Sequence, residues 1–168
     1  AHPIGSDMSK TPAVAVPAAT VLLLRDGAPG LEVFMVVRHH QIDFASGALV
    51  FPGGKVDRGD ADPGLRARCR GAEGLDDATL ALRIAAIREA YEECGVLLAY
   101  ASGAANLLPG TRLKALHGWR EKLEKKTAFL RDMLPAEGLE LACDRLVPFA
   151  HWITPPTVPK RFDTHFFL

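Results

Sequence analysis

No stretch of the 168 residues supplies the roughly 20 consecutive apolar side chains that a membrane-spanning helix needs. Residues 1–8 also lack the basic-then-apolar plan of a signal peptide. Cysteine is scarce. Cys69, Cys94 and Cys143 are odd in number, and their spacing fits neither a zinc site nor a disulfide framework. Reduced thiols in a cytoplasmic protein are therefore expected. Net charge is absent as well: 20 Lys and Arg offset 20 Asp and Glu. A balanced chain has no global attraction for nucleic acid or an anionic membrane. Aromatic residues are only 7% of the chain and form no stripe with basic residues, which argues against an RNA-processing role.

What is present is an ordinary globular composition, 48% hydrophobic and 24% charged, in a length suited to one domain. Residues 1–18 read as a tag remnant, with Met8 as the natural start, followed by an extended lead-in through Pro12 and Pro17. Residues 19–168 read as a single α/β domain. Its end, His165-Phe166-Phe167-Leu168, has the pattern of a strand interior, so a C-terminal continuation is expected.

Residues 19–24 and 31–37 are apolar runs on either side of Asp26-Gly27 and Pro29-Gly30, which suggests a hairpin. Residues 48–51 form a further strand that stops at Pro52-Gly53-Gly54. Residues 61–75 combine glycine, proline and charges of both signs, and predict an exposed, mobile loop. A helix is expected from about Ala78, capped by Asp76 or Asp77. Its apolar face is Leu80, Ile84, Ile87, Tyr91 and Cys94, and Gly95 ends it. Strands are expected over residues 96–100, 146–152 and 164–168. Residues 110–134 read as a helix or helical pair buried along Leu113, Leu116, Leu123, Leu130 and Leu134. Lys122, Lys125 and Lys126 read as its solvated face. His39, His40, His151 and His165 show no metal-ligand spacing.

The informative run is Arg88-Glu89-Ala90-Tyr91-Glu92-Glu93-Cys94-Gly95-Val96. Glu89, Glu92 and Glu93 stand at i, i+3 and i+4, on one helix face. Like charges so placed cost a helix about 0.2–0.5 kcal/mol per pair. Divalent cations between the carboxylates remove that cost, and hard cations such as Mg2+ prefer oxygen ligands shared with phosphates. Three glutamates alone would favour a solvated acidic face. The strongly apolar opposite face, the Gly53-Gly54 pair after a strand, and the nearby Asp57 and Asp60 shift the balance toward a site.

These residues resemble the Nudix box. Gly54 matches its first glycine, residues 55–59 its first gap, Asp60 its acid, and Arg88, Glu89, Glu92, Glu93, Gly95 and Val96 its second half, with Ala90 at the apolar position. Two features depart from the family pattern. The acid is Asp rather than Glu, and the 27 residues 61–87 fill a gap that is much shorter in the family. A surface insertion of that kind, at about 61–80, costs little extra entropy. The segments Gly47-Ala48-Leu49-Val50-Phe51-Pro52-Gly53-Gly54, Trp152-Ile153-Thr154-Pro155 and Arg161-Phe162-Asp163-Thr164-His165-Phe166-Phe167 resemble one subgroup with a split box. That subgroup holds the peroxisomal-type coenzyme A diphosphatases and their bacterial relatives.

The resemblance implies an α/β/α sandwich around a mixed β-sheet, here with a helical insertion. It implies Mg2+- or Mn2+-dependent hydrolysis of a pyrophosphate linkage in a nucleotide derivative, and no nucleic-acid or membrane partner. Coenzyme A compounds rank ahead of ADP-ribose and dinucleotides. Glu89, Glu92, Glu93 and the Gly54 carbonyl are the implied metal ligands, and Glu89 and Arg88 belong to the catalytic set. Asp163, from a later loop, is the candidate general base. Arg38, Gly53, Lys160 and Arg161 are the candidates for holding substrate phosphates. A non-catalytic nucleotide-sensing module is the rival from another class, and retention of all three box glutamates argues against it.

Overall fold

The computed structural model describes residues 13–37 and 47–168. In chain order the elements begin with β1 (Val16–Val21), β2 (Leu24–Gly27), β3 (Gly30–Val33), β4 (Val36–Val37), β5 (Leu49–Val50) and β6 (Gly53–Lys55). Then follow α1 (Asp77–Cys94), β7 (Ala99–Ala101), α2 (Gly110–Ala115), α3 (His117–Glu124), α4 (Leu130–Glu137), β8 (Leu139–Leu141), β9 (Pro148–Ile153) and β10 (Phe162–Phe167). The protein is α/β, as expected. Its central sheet has the order β6-β1-β10-β9 and is mixed: β1 runs parallel to β10, while β6 and β9 are antiparallel to their neighbours.

Side-chain alternation gives this sheet one face toward α1. Ala19 and Val21 of β1 are fully buried, and α1 lies against β1 and β6. Phe167 of β10, 3% exposed, is buried with them under the Arg83 guanidinium. Strand residues two apart share a face, so Asp163 and His165 point to the same side as Phe167. The register aligns Gly54, Ala19, His165 and His151 in one row across four strands.

Helix α1 forms where its apolar spacing predicts. Asp76 caps it by accepting a bond from the Thr79 amide at 2.7 Å, and Gly95 ends it in the left-handed conformation at φ 74°. Leu80, Ile84, Ile87 and Tyr91 are buried as expected, whereas Cys94 is only partly so. The helical insertion is three short helices rather than one or two, and Leu116, Leu123, Leu130 and Leu134 are its buried stripe. The Tyr91 hydroxyl donates to the Leu116 carbonyl at 2.7 Å, which fastens α1 to the α2–α3 junction.

The expected hairpin forms across the glycine turn, where β2 joins β3 through Ala28-Pro29 with Gly27 opposite Gly30. Its second strand lies in the apolar run 31–37, but its first takes only Leu24 from the run 19–24, whose residues 19–21 belong to the separate strand β1. One expectation fails. The segment 61–75 is not an exposed loop. It contains the 3-10 turn Pro63–Arg68 and contributes Leu65, Cys69 and Ala72 to the core. Arg66 donates to the carbonyls of Ala72 and Leu75, and Arg70 to that of Ala104. Arg66 therefore satisfies two carbonyls within the segment, and Arg70 ties the segment to the turn at Ala104.

Candidate active site

The box converges on Arg88, whose side chain is 6% exposed. Its Nε and one terminal nitrogen donate to both oxygens of Asp60 at 2.8 and 2.9 Å, and that second nitrogen also donates to the Lys55 carbonyl. The other terminal nitrogen reaches Glu89 at 2.8 Å and Glu92 at 3.4 Å. A bidentate fork fixes a guanidinium in its plane, so Asp60 sets Arg88 and Arg88 sets two of the three glutamates. Asp60 reaches the box despite the insertion, because the chain turns back at Arg58–Ala61, where the Asp57 amide donates to Asp60 at 2.7 Å. Burial works against the charge of Arg88, but Asp60 and Glu89 more than offset it and its pKa rises.

The glutamates meet the glycine strand directly. The Gly53 amide donates to Glu93 at 3.1 Å. A Cβ at Gly54 would lie within 2.7 Å of Glu89 Oε2, and one at Gly53 would lie 2.5 Å from the Ala19 carbonyl oxygen. Both positions are glycine because the carboxylates on one side and β1 on the other leave no room for a side chain. Burial pushes the Glu89 carboxyl above its ordinary value, against the pull of Arg88. A largely desolvated cluster of carboxylate oxygens packed against a glycine backbone suits a hard divalent cation.

Sequence reasoning missed two cations. Lys126 was read as a solvated side chain, yet its ammonium lies 2.6 Å from Asp57 and 3.7 Å from Glu92. A backbone φ of 55°, rare for a residue with a side chain, turns it back toward the box. The Asp57 carboxyl is held below its ordinary range chiefly by that hydrogen bond. Arg120 of α3 donates to the carbonyls of Glu92 and Glu93 at 3.0 Å, which satisfies the C-terminal end of α1. No local sequence signal ties either residue to the box.

The remaining candidates scatter. Arg38 lies outside the described residues, as do His39 and His40. Lys160 is exposed in the turn after β9. Arg161 spends its donors on the backbone carbonyls of Thr154 and Ala13, at 3.0 and 2.7 Å. Asp163 sits two strands across from Gly54 and bonds to the His151 imidazole, with His165 3.8 Å away. Burial, joined by repulsion from His151, holds the His165 imidazole below its ordinary value against the pull of Asp163. Histidines that show no ligand spacing along the chain thus meet across strands.

Comparisons with known proteins show which family the fold and sequence resemble. The sequence model of the NUDT19 Nudix domain matches residues 68–168. The chain is 30% identical over 145 residues to putative nudix hydrolase 7 of Caenorhabditis elegans, covering 82% of the chain and 39% of that protein. It is 29% identical over 203 residues to the acyl-coenzyme A diphosphatase NUDT19 of Gallus gallus, covering 89% and 54%. The chain thus spans about half the length, or less, of these curated relatives. A crystal structure of a NUDIX hydrolase from Alicyclobacillus acidocaldarius superposes with a TM-score of 0.72 at 33% identity, over 92% of this chain and 68% of that one.

Proposed function

The chain belongs to the Nudix hydrolase family, and on that footing we propose that it hydrolyses the pyrophosphate linkage of a nucleoside diphosphate derivative with a divalent cation, Mg2+ or Mn2+. The observation that carries this reading is the packing of Glu89 and Glu93 against Gly53 and Gly54. Glu89, Glu92 and Glu93, with the Gly54 carbonyl, would hold the cation. When bound, the cation neutralises phosphate charge and makes the attacking water more acidic.

The chain's own residues supply orientation. Arg88 holds Glu89 and Glu92, and Asp60 holds Arg88. The Gly53 amide holds Glu93. Glu89, with its affinity for a proton raised by burial, is the carboxylate best suited to accept one from the attacking water. Water adds to one phosphorus, the bridging P–O bond breaks, and the products are a mononucleotide and a second phosphate compound. Asp163, bonded to the His151 imidazole two strands across from Gly54, is the second candidate for the base.

Coenzyme A compounds lead the substrate ranking. The chicken relative's name supports that order, as does the subgroup pattern around Arg161-Phe162-Asp163-Thr164. A screen across coenzyme A, acyl-coenzyme A, ADP-ribose and dinucleotides, each with Mg2+ and with Mn2+, tests the proposal. Cleavage of at least one compound into two phosphate products is expected. Binding without cleavage of any compound would replace the enzyme with a nucleotide sensor.

A further inference from the structure

His165 stands between Phe166 and Thr164 on β10, two residues after Asp163, and pairs directly with His151 on β9. Residues two apart on a strand, and residues paired across strands, project from the same sheet face. All three therefore rise from the face that carries α1. The two imidazoles stack with centroids 4.2 Å apart and planes 24° from parallel. Both Nε2 atoms are directed at one oxygen of Asp163. Among the described residues the ion-pair partners of Asp163 are these two histidines, with no lysine or arginine. The three side chains are 36–47% exposed, so an ion from solvent can reach them.

The geometry points to a second metal site, separate from the box: His151, Asp163 and His165 bind a divalent transition ion of the zinc type. Their ligand atoms lie within 4.8 Å of one another. Ligand atoms around a tetrahedral zinc are roughly 3.4 Å apart, so closing the site asks for side-chain shifts of about an ångström. Two imidazoles with one carboxylate suit zinc, iron or nickel far better than Mg2+, whereas the all-oxygen box suits Mg2+ or Mn2+. Three protein ligands also leave an open position, the arrangement of a site that takes water or a substrate oxygen as its fourth ligand. His165 shares its row with Ala19 and Gly54. Neighbouring strands lie about 4.8 Å apart, so His165, two strands across, stands roughly 10 Å from the glycine that faces Glu89. An anion extended along that row, such as a phosphorylated group beyond the scissile linkage, could meet both.

This inference does not rest on the hydrolytic reading and is tested without substrate. Zinc binding is measured by calorimetry on the whole chain in millimolar Mg2+, which keeps the box occupied. One zinc per chain is expected. His151→Ala, Asp163→Asn and His165→Ala should each weaken it by more than the about 10–100-fold that losing a mere outer partner of a ligand costs. Glu93→Gln should leave the zinc bound. Long-range nitrogen–proton NMR supplies a second readout that a structural role would not move: zinc should shift the Nε2 signals of His151 and His165 and leave that of His117 in place. Circular dichroism checks that each variant is folded. Failure of the wild type to bind zinc in Mg2+, or zinc affinity unchanged from the wild type in all three variants, would overturn the site.

Discussion

Replacing Asp60 with Ala should damage the protein more than any exposed charge could. Arg88 is 6% exposed and Asp60 1%, and two of the arginine's hydrogen bonds go to that carboxylate. Removing one partner of a buried pair costs about 3–5 kcal/mol, because the other charge is left without compensation. Here Glu89, Glu92 and the Lys55 carbonyl still hold Arg88, so the low end applies, about 3 kcal/mol. For a chain of this size that lowers Tm by about 6–12 °C. Urea unfolding should show a lower midpoint with an unchanged slope. The double variant Asp60→Ala/Arg88→Met should recover part of the loss, because it removes the orphaned cation. A cost below about 1 kcal/mol for Asp60→Ala, the range of an exposed pair, would refute the view that Arg88 depends on Asp60.

Glu93→Gln should lower turnover by about 100-fold or more, the scale of losing a group that acts on the transition state, with circular dichroism unchanged. Gly54→Ala should cost about 1–3 kcal/mol by overpacking and reduce activity, because its Cβ meets the Glu89 carboxylate; a neutral result in both assays would mean the carboxylate lies elsewhere. Leu65→Ala should cost about 2–5 kcal/mol, since Leu65 is 1% exposed, and a change under about 0.5 kcal/mol would mean that the insertion does not contribute to the core. Lys126→Ala should alter stability by no more than about 1 kcal/mol, because its side chain is half exposed. It should affect activity more than stability, through the released Glu92.

Sequence legibility varied with the range of the interactions. Helix α1 was readable to within a residue, because its cap, its apolar face and its terminal glycine are local signals. The box was readable because its chemistry lies within nine consecutive residues plus one glycine pair. The insertion was misread because composition hides arginine bonds such as Arg66 to Leu75 and Arg70 to Glu140, which exist only once distant backbone is in place. Lys126 was misread because its approach to Asp57, 69 residues away in sequence, depends on one unusual backbone angle. The His151, Asp163 and His165 cluster was invisible because strand register, not spacing along the chain, makes it. Strand β8, three residues paired with β7, has too little length to give a periodic signal.

The most direct test of the proposed chemistry is product analysis of coenzyme A incubated with the protein over a Mg2+ titration, with Glu93→Gln and a chelator as parallel arms. The expected result is 3′,5′-ADP and 4′-phosphopantetheine, formed in proportion to cation occupancy and nearly lost in both other arms. Brisk cleavage of ADP-ribose instead would change the substrate and leave the reaction class in place. Undiminished cleavage in the chelator, or from Glu93→Gln, would contradict a cation held by the box glutamates.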